Sequence, residues 1–285
     1  MQNDTTILLK NNDLTVEISP LGAEIQRIVD KNGVDRLWNG DPQFWTGRAP
    51  VLFPIAGGMK DGGFIYDGQK YPMKKHGFAR RLLFQIERAG ECTATFLLNE
   101  KVPDYPFDYE LRLRHTLEGN RIRVEYITDN AGTGDMYYSI GCHEAYMAPG
   151  GIEHYQVVFD EDDELLNNPC TETGVSKETQ LFRLENRTLS LKEDFFKIDA
   201  LCFLSLKSRG VTLQNDLNDQ KVRVEFADFP YLLIWKKVGA PFVAIEPWHN
   251  SVEFDDVSRQ LTEKSGQILL RPGESRTLTH TIAFL

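Results

Sequence analysis

Period two runs through this chain and decides its fold class. Leu111, Leu113, His115 and Leu117 alternate with Arg112, Arg114 and Thr116. Ile122, Val124 and Tyr126 alternate with Arg121, Arg123 and Glu125. Successive side chains of a strand point to opposite faces, so each run reads as a half-buried strand. Gly119 and Asn120 lie between the two runs and read as a tight hairpin turn. Leu14 to Ile18 alternates in the same way. Apolar or alternating segments at 93–98, 211–213, 222–226, 232–236, 242–245, 268–270 and 275–284 extend the pattern. Asp61-Gly62-Gly63, Asp67-Gly68, Arg209-Gly210 and Pro272-Gly273 punctuate it as turns.

Helical signals are few. Residues 257–262 form a candidate short helical turn after Asp255 or Asp256, and 21–27 is ambiguous, with a strand favoured by its neighbours. Residues 150–198 are the least strand-like stretch. Its acidic run, Asp160 to Glu164, reads as a solvated loop and lacks the glycine turn of a calcium loop. Short strands at regular spacing predict an all-β sandwich or barrel, with residues 1–285 as one domain.

Composition narrows the partners. The 285 residues carry a formal net charge of -10, which repels nucleic-acid backbones and anionic bilayers. With 41% hydrophobic and 26% charged residues, the chain reads as an ordinary globular protein. No run approaches the roughly 18 to 20 apolar residues that span a bilayer. The polar N-terminus lacks the basic and apolar regions of a signal peptide, so a cytoplasmic protein is expected. The four cysteines form no C-x-x-C pair and read as four buried free thiols in a reducing compartment.

Against this background three polar residues need a reason. His76 sits in Lys75-His76-Gly77-Phe78-Ala79-Arg80, His143 in Ile140-Gly141-Cys142-His143, and Glu246 in Ala244-Ile245-Glu246-Pro247-Trp248. Each lies in or beside an apolar, strand-like segment, where an unpaired polar group is costly. A desolvated carboxylate beside an imidazole is a minimal kit for taking one proton and delivering another. The alternatives are satisfied core histidines and a buried ion pair for Glu246. The same residue types also form a zinc or iron ligand set. Arg48 fits either a forked ligand contact or a structural ion pair. Phe44 and Trp45 fit either a stacking platform or the core. His115 falls with the leucines and reads as structural, while His154 and His280 show no constellation. No G-x-S-x-G elbow, phosphate loop or H-E-x-x-H helix is present.

Taken in order, these segments resemble the aldose 1-epimerases (galactose mutarotases), most closely their LacX-like branch. The resemblance runs through Leu37 to Trp45, Arg48 to Pro54, Lys75 to Arg80, Ile140 to His143, Asp199-Ala200-Leu201 and Ile245 to Trp248. It implies a large antiparallel β-sandwich, the galactose mutarotase-like supersandwich, with few short helices. It implies Glu246 as general base, His143 as general acid and His76 as an assisting hydrogen-bond partner of the sugar. Arg48 and Asp199 would orient the sugar, and Trp248 and Phe78 would wall it. The implied ligand is a small-molecule aldose, with no metal or redox cofactor. The chain departs from the family pattern at three places. Cys142 stands where a second glycine is common, and Glu144-Ala145-Tyr146 replaces a proline and aromatic. His249-Asn250-Ser251 follows Trp248 where a glycine-containing loop is frequent. These departures leave open a hexose-6-phosphate mutarotase, with Arg48, Lys74, Lys75, Arg80 and Arg81 as a basic cluster or as plain surface charge. A non-catalytic carbohydrate-binding protein is the remaining alternative.

Overall fold

Two antiparallel sheets face each other across an apolar core, and alternation within their strands decides which residues enter it. The computed structural model describes residues 5–171, 174–250, 254 and 258–285. The larger sheet has nine strands, in the order Thr188–Ser190, Tyr155–Phe159, Gly210–Asn215, Lys221–Glu225, Ser275–Phe284, Arg121–Asn130, Tyr109–Glu118, Thr93–Leu98, Gln85–Ala89. The second has six, in the order Glu144–Met147, Phe242–Trp248, Tyr231–Trp235, Leu201–Phe203, Glu164–Asn167, Gln180–Arg183. The 109–130 hairpin forms as its sequence requires, with Glu118 opposite Arg121 and Gly119 at φ +60°. Its inward face buries Tyr109, Leu111, Leu113, His115 and Leu117. Arg112 and Arg114 stand on the outer face, paired with Asp129 and Glu125.

The strand Phe242–Trp248 is buried at every position because the six-stranded sheet is covered on both faces. Residues directly opposite one another share a face. Ile245 lies opposite Glu144 and Ile234, and this face meets the large core. Glu246 lies opposite Leu233, and Ala244 lies between Ala145 and Trp235. That second face meets a separate apolar layer built from Trp38, Leu52, Phe242 and Trp248.

The structure corrects several sequence-based expectations. Residues 150–198 carry four strands, Tyr155–Phe159, Glu164–Asn167, Gln180–Arg183 and Thr188–Ser190. The acidic run between the first two is not a purely solvated loop. Asp162 is buried and accepts hydrogen bonds from the backbone N–H groups of Lys207 and Ser208, at 3.0 and 2.8 Å. Asp160 takes a two-point contact from Arg223, at 2.6 Å on each side. In the 21–27 segment, Gly22 and Ala23 adopt positive φ, so the strand starts only at Ile25. Asp255, Asp256 and Val257 lie outside the described residues, and the short helical turn there is Leu261–Glu263. Among the described residues no helix is long and apolar enough to cross a membrane. Only Cys142 and Cys202 of the four free thiols are buried; Cys92 and Cys170 are half-buried.

The Asp162 contacts join the acidic run to the turn at 207–208 in a buried setting. Asp162→Ala leaves two backbone donors unpaired, and an unmade buried hydrogen bond costs about 1–3 kcal/mol. The expected outcome is a loss of unfolding free energy in that range by urea titration. Exposed Glu161→Ala is expected to change it by less than about 0.5 kcal/mol. Equal effects of the two substitutions would contradict the assignment.

Candidate active site

The site is assembled by stitching residues 140–142 onto the end of Phe242–Trp248. Gly141 bridges to Leu52 on one side and Trp248 on the other. A Cβ on Gly141 would sit 2.7 Å from the Trp248 ring, so only glycine allows this approach. The Cys142 N–H donates to the Pro247 carbonyl at 3.1 Å, and the His249 N–H to Ile140 at 2.8 Å. These bonds set His143 beside Glu246, with its Nε2 3.3 Å from Glu246 Oε1. Both side chains are nearly inaccessible, at 8% and 2% exposure.

His76 arrives from a backbone turn that bulky residues resist. His76 and Gly77 both take positive φ, +66° and +65°. A Cβ on Gly77 would lie 2.1 Å from the Phe53 carbonyl oxygen. The Gly57 N–H donates to His76 Nδ1 at 3.1 Å, which makes Nδ1 the acceptor and leaves the proton on Nε2. The His76 ring meets His143 and Trp248 edge-on, at 5.8 and 5.6 Å. Trp45 stacks on His143 at 4.9 Å, and Trp235 meets it edge-on at 5.4 Å.

These groups open on a cavity of about 530 Å³, within the range of small-ligand sites. Trp45, His76, His143, Asp199, Glu246 and Trp248 line it. Lys75, Arg80, Lys197, Lys236 and Lys237 also border it. Lys75 pairs with Asp199 at 3.4 Å, and Lys236 with Glu193.

Burial pushes the titrating groups toward neutrality. Glu246 is raised well above the ordinary carboxylate value by desolvation, and by the negative charge of Asp199. His143 is pushed down to about 3, chiefly by desolvation. His76 is lowered well below its usual value by burial and by the nearby His143. Burial therefore favours the neutral form of each partner, the carboxylic acid of Glu246 and the imidazole of His143.

Of the residues singled out from sequence, the fold brings His76, His143, Asp199, Glu246 and Trp248 together. It places Arg48 and Phe78 outside the cavity lining. The Arg48 guanidinium donates to the Gln26 carbonyl at 2.7 Å, and its backbone N–H to Glu24 at 2.8 Å. Phe78 packs edge-on against Phe53 and Tyr105 inside the large core. Of the five residues considered as a basic cluster, only Lys75 and Arg80 border the cavity. His76, His143 and Glu246 do not converge as a metal-ligand set; among the described residues the set that converges is Cys142, Glu144 and His280. Trp235, Lys197, Lys236 and Lys237 escaped the sequence reading. Trp235 becomes visible as a site residue only once Leu233 is known to pair with Glu246, because that register puts both on the cavity face.

Known proteins are similar to this chain in sequence and in fold. Residues 5–283 match the family model described as aldose 1-epimerase. The plasmid protein LacX of Lactococcus lactis subsp. lactis is 37% identical over 265 residues, covering 85% of this chain and 87% of LacX. A galactose mutarotase related enzyme from Lactobacillus acidophilus superposes with a TM-score of 0.94 at 28% identity, covering 99% of this chain and 97% of its own. A galactose mutarotase-like protein from Lactobacillus casei shares the fold at a TM-score of 0.91 and 24% identity, covering 99% and 100%.

The buried carboxyl has a measurable consequence for stability. Folded Glu246 keeps its proton at pH values where the unfolded chain releases it. Its contribution is full below the ordinary value of 4.5 and is lost as pH rises through the raised folded value. Glu246→Gln removes that loss. The variant is expected to melt at or above the wild-type temperature at about pH 7–8 by scanning fluorimetry, with the gap narrowing toward about pH 5. A variant less stable than wild type at the alkaline end would contradict the burial argument.

Proposed function

The chain belongs to the aldose 1-epimerase family, and from that premise we propose that it interconverts the α and β anomers of an aldose in this cavity. The observation that carries the reading is the Glu246–His143 pair, 3.3 Å apart at the floor of a tryptophan-lined pocket. Anomer exchange requires a proton to leave the anomeric hydroxyl while another reaches the ring oxygen. Glu246 takes the first and His143 supplies the second. The C1–ring-oxygen bond breaks to give the open-chain aldehyde. Rotation about C1–C2 and the reverse transfers close the other anomer.

The proton count is consistent with this cycle. The resting pair, a carboxylic acid and a neutral imidazole, holds one proton. The working pair, a carboxylate and an imidazolium, also holds one. A sugar that reaches Glu246 with its anomeric hydroxyl and His143 with its ring oxygen only relocates that proton. His76, with its proton on Nε2, donates a hydrogen bond to the sugar. Trp45 and Trp248 offer flat apolar faces to the ring, and Asp199 accepts from its hydroxyls. The whole reading treats residues 1–285 as one domain. Supplying both proton transfers in place avoids the slow simultaneous action of water.

A phosphorylated aldose is the second reading. It is favoured by the five cations that border the cavity of a chain whose net charge is -10.

Anomer exchange of fresh α-D-glucose, α-D-galactose and glucose 6-phosphate, followed by polarimetry or NMR, tests both readings. Acceleration is expected, with Glu246→Gln and His143→Asn each lowering kcat/KM by roughly 10²- to 10⁴-fold. Wild-type rates in both variants would overturn the mechanism. Sugar binding without acceleration would establish a carbohydrate-binding protein instead. The pH profile is a separate check. The singly protonated pair is lost on the alkaline side as Glu246 ionises at its raised value, and on the acid side only toward about 3, where His143 gains a proton. An acid-side loss centred at the ordinary imidazole value of 6.5 would be inconsistent with it.

A further inference from the structure

Directly behind the cavity lies a second polar cluster that the anomer chemistry does not use. We propose that Cys142, Glu144 and His280 form a closed structural zinc site linking the two sheets. Cys142 and Glu144 flank His143 in sequence, but alternation turns Glu144 away from the cavity, onto the face shared with Ile245. His280 comes from the opposite sheet, in the strand Ser275–Phe284. All three are buried, at 1%, 3% and 1% exposure. Their ligand atoms all lie within 4.8 Å of one another. Side-chain adjustment of under about an ångström would bring them to zinc–ligand bonds of about 2.0–2.3 Å.

The decisive detail is how Glu144 and His280 approach each other. Glu144 Oε1 and His280 Nε2 are 3.2 Å apart, yet neither ring nitrogen of His280 makes a hydrogen bond. Glu144 Oε2 is also without a partner. The Cys142 Sγ lies within 4.8 Å of both groups, so the three side chains surround one buried point. Buried polar atoms left unpaired are costly, and a cation at that point satisfies the second Glu144 oxygen and one ring nitrogen of His280.

Charge identifies the ion. A thiolate, a carboxylate and a neutral imidazole balance a divalent cation to zero, which suits a dry interior. The Cys142 thiol donates to the Pro247 carbonyl at 3.3 Å, and binding replaces that bond and releases its proton to solvent. A sulfur ligand selects zinc over magnesium or calcium. Burial of all three ligand residues closes the site to substrate, which makes it structural. Tyr126 stacks on the His280 ring at 5.7 Å and contacts the Cys142 thiol, which holds the ligands in place. The ion enters as the chain folds and fixes both neighbours of His143.

Zinc content of tag-free protein, by plasma mass spectrometry, tests the site. About one zinc per chain is expected. It should be lost in Cys142→Ser and His280→Gln and kept in Cys170→Ala and His76→Gln, which excludes the cavity as its location. Because the first two variants can fail to fold, wild type and the Cys170→Ala/Cys202→Ala double variant are also unfolded with EDTA and refolded with one equivalent of cobalt(II). Both should show thiolate-to-cobalt absorption in the near ultraviolet and a higher Tm than protein refolded without metal. Zinc retained in Cys142→Ser would overturn the proposal. So would cobalt-refolded wild type with no thiolate band and an unchanged Tm. Neither readout depends on sugar turnover.

Discussion

The structure depends on one strand being dry on both faces. Phe242–Trp248 lies between a nine-stranded sheet and an outer apolar layer, so none of its side chains meets bulk water except through the cavity. A carboxylate in such a strand is destabilised as an anion, which raises Glu246 well above the ordinary carboxylate value. The same burial lowers His143. Desolvation thus pushes the carboxyl and the imidazole in opposite directions, each toward its neutral form. A solvated pair would show no such shifts. The fold contributes chemistry by excluding water before it contributes any particular contact.

Reach is controlled by two glycines. Gly141 lets the 140–142 segment pass against the Trp248 ring, and Gly77 lets the His76 turn pass against the Phe53 carbonyl. Both act on backbone separation, so the imidazoles are placed by main-chain contacts and their long-range position tolerates no slack. The Gly57 N–H then selects the His76 tautomer. Three histidine properties follow from backbone alone: position, orientation and, for His76, the proton-bearing nitrogen.

Much of this was legible in the sequence, and the misses share a cause. Period two located strands at 14–18, 111–117 and 121–127, because each buries alternate residues and the contrast is sharp. The strand at 242–248 shows no contrast, so alternation could not tell which way Glu246 points; only its register against Leu233 decides. Trp235 escaped for the same reason. Phe78 was drawn in by adjacency and Arg48 by the resemblance, but both face elsewhere, Arg48 toward Gln26 and Phe78 into the aromatic core. Sequence proximity is a weak guide where side chains alternate. Asp162 was read as solvated because its neighbours are acidic, yet two backbone donors capture it in a turn that no local pattern announces.

Alternation also explains why a reactive face and a structural polar cluster can sit one residue apart. His143 faces the cavity, while Cys142 and Glu144 face the nine-stranded sheet and meet Tyr126 and His280 there. A strand edge that holds an imidazole 3.3 Å from a buried carboxylate gains from anchors on its reverse side. Apolar packing alone resists sliding only weakly, because van der Waals contact is non-directional. Directional groups at the residues before and after His143 resist both sliding and rotation. The departures from the family pattern at Cys142 and Glu144 fall at these anchoring positions, and each replaces a residue type that carries no ligand atom with one that does.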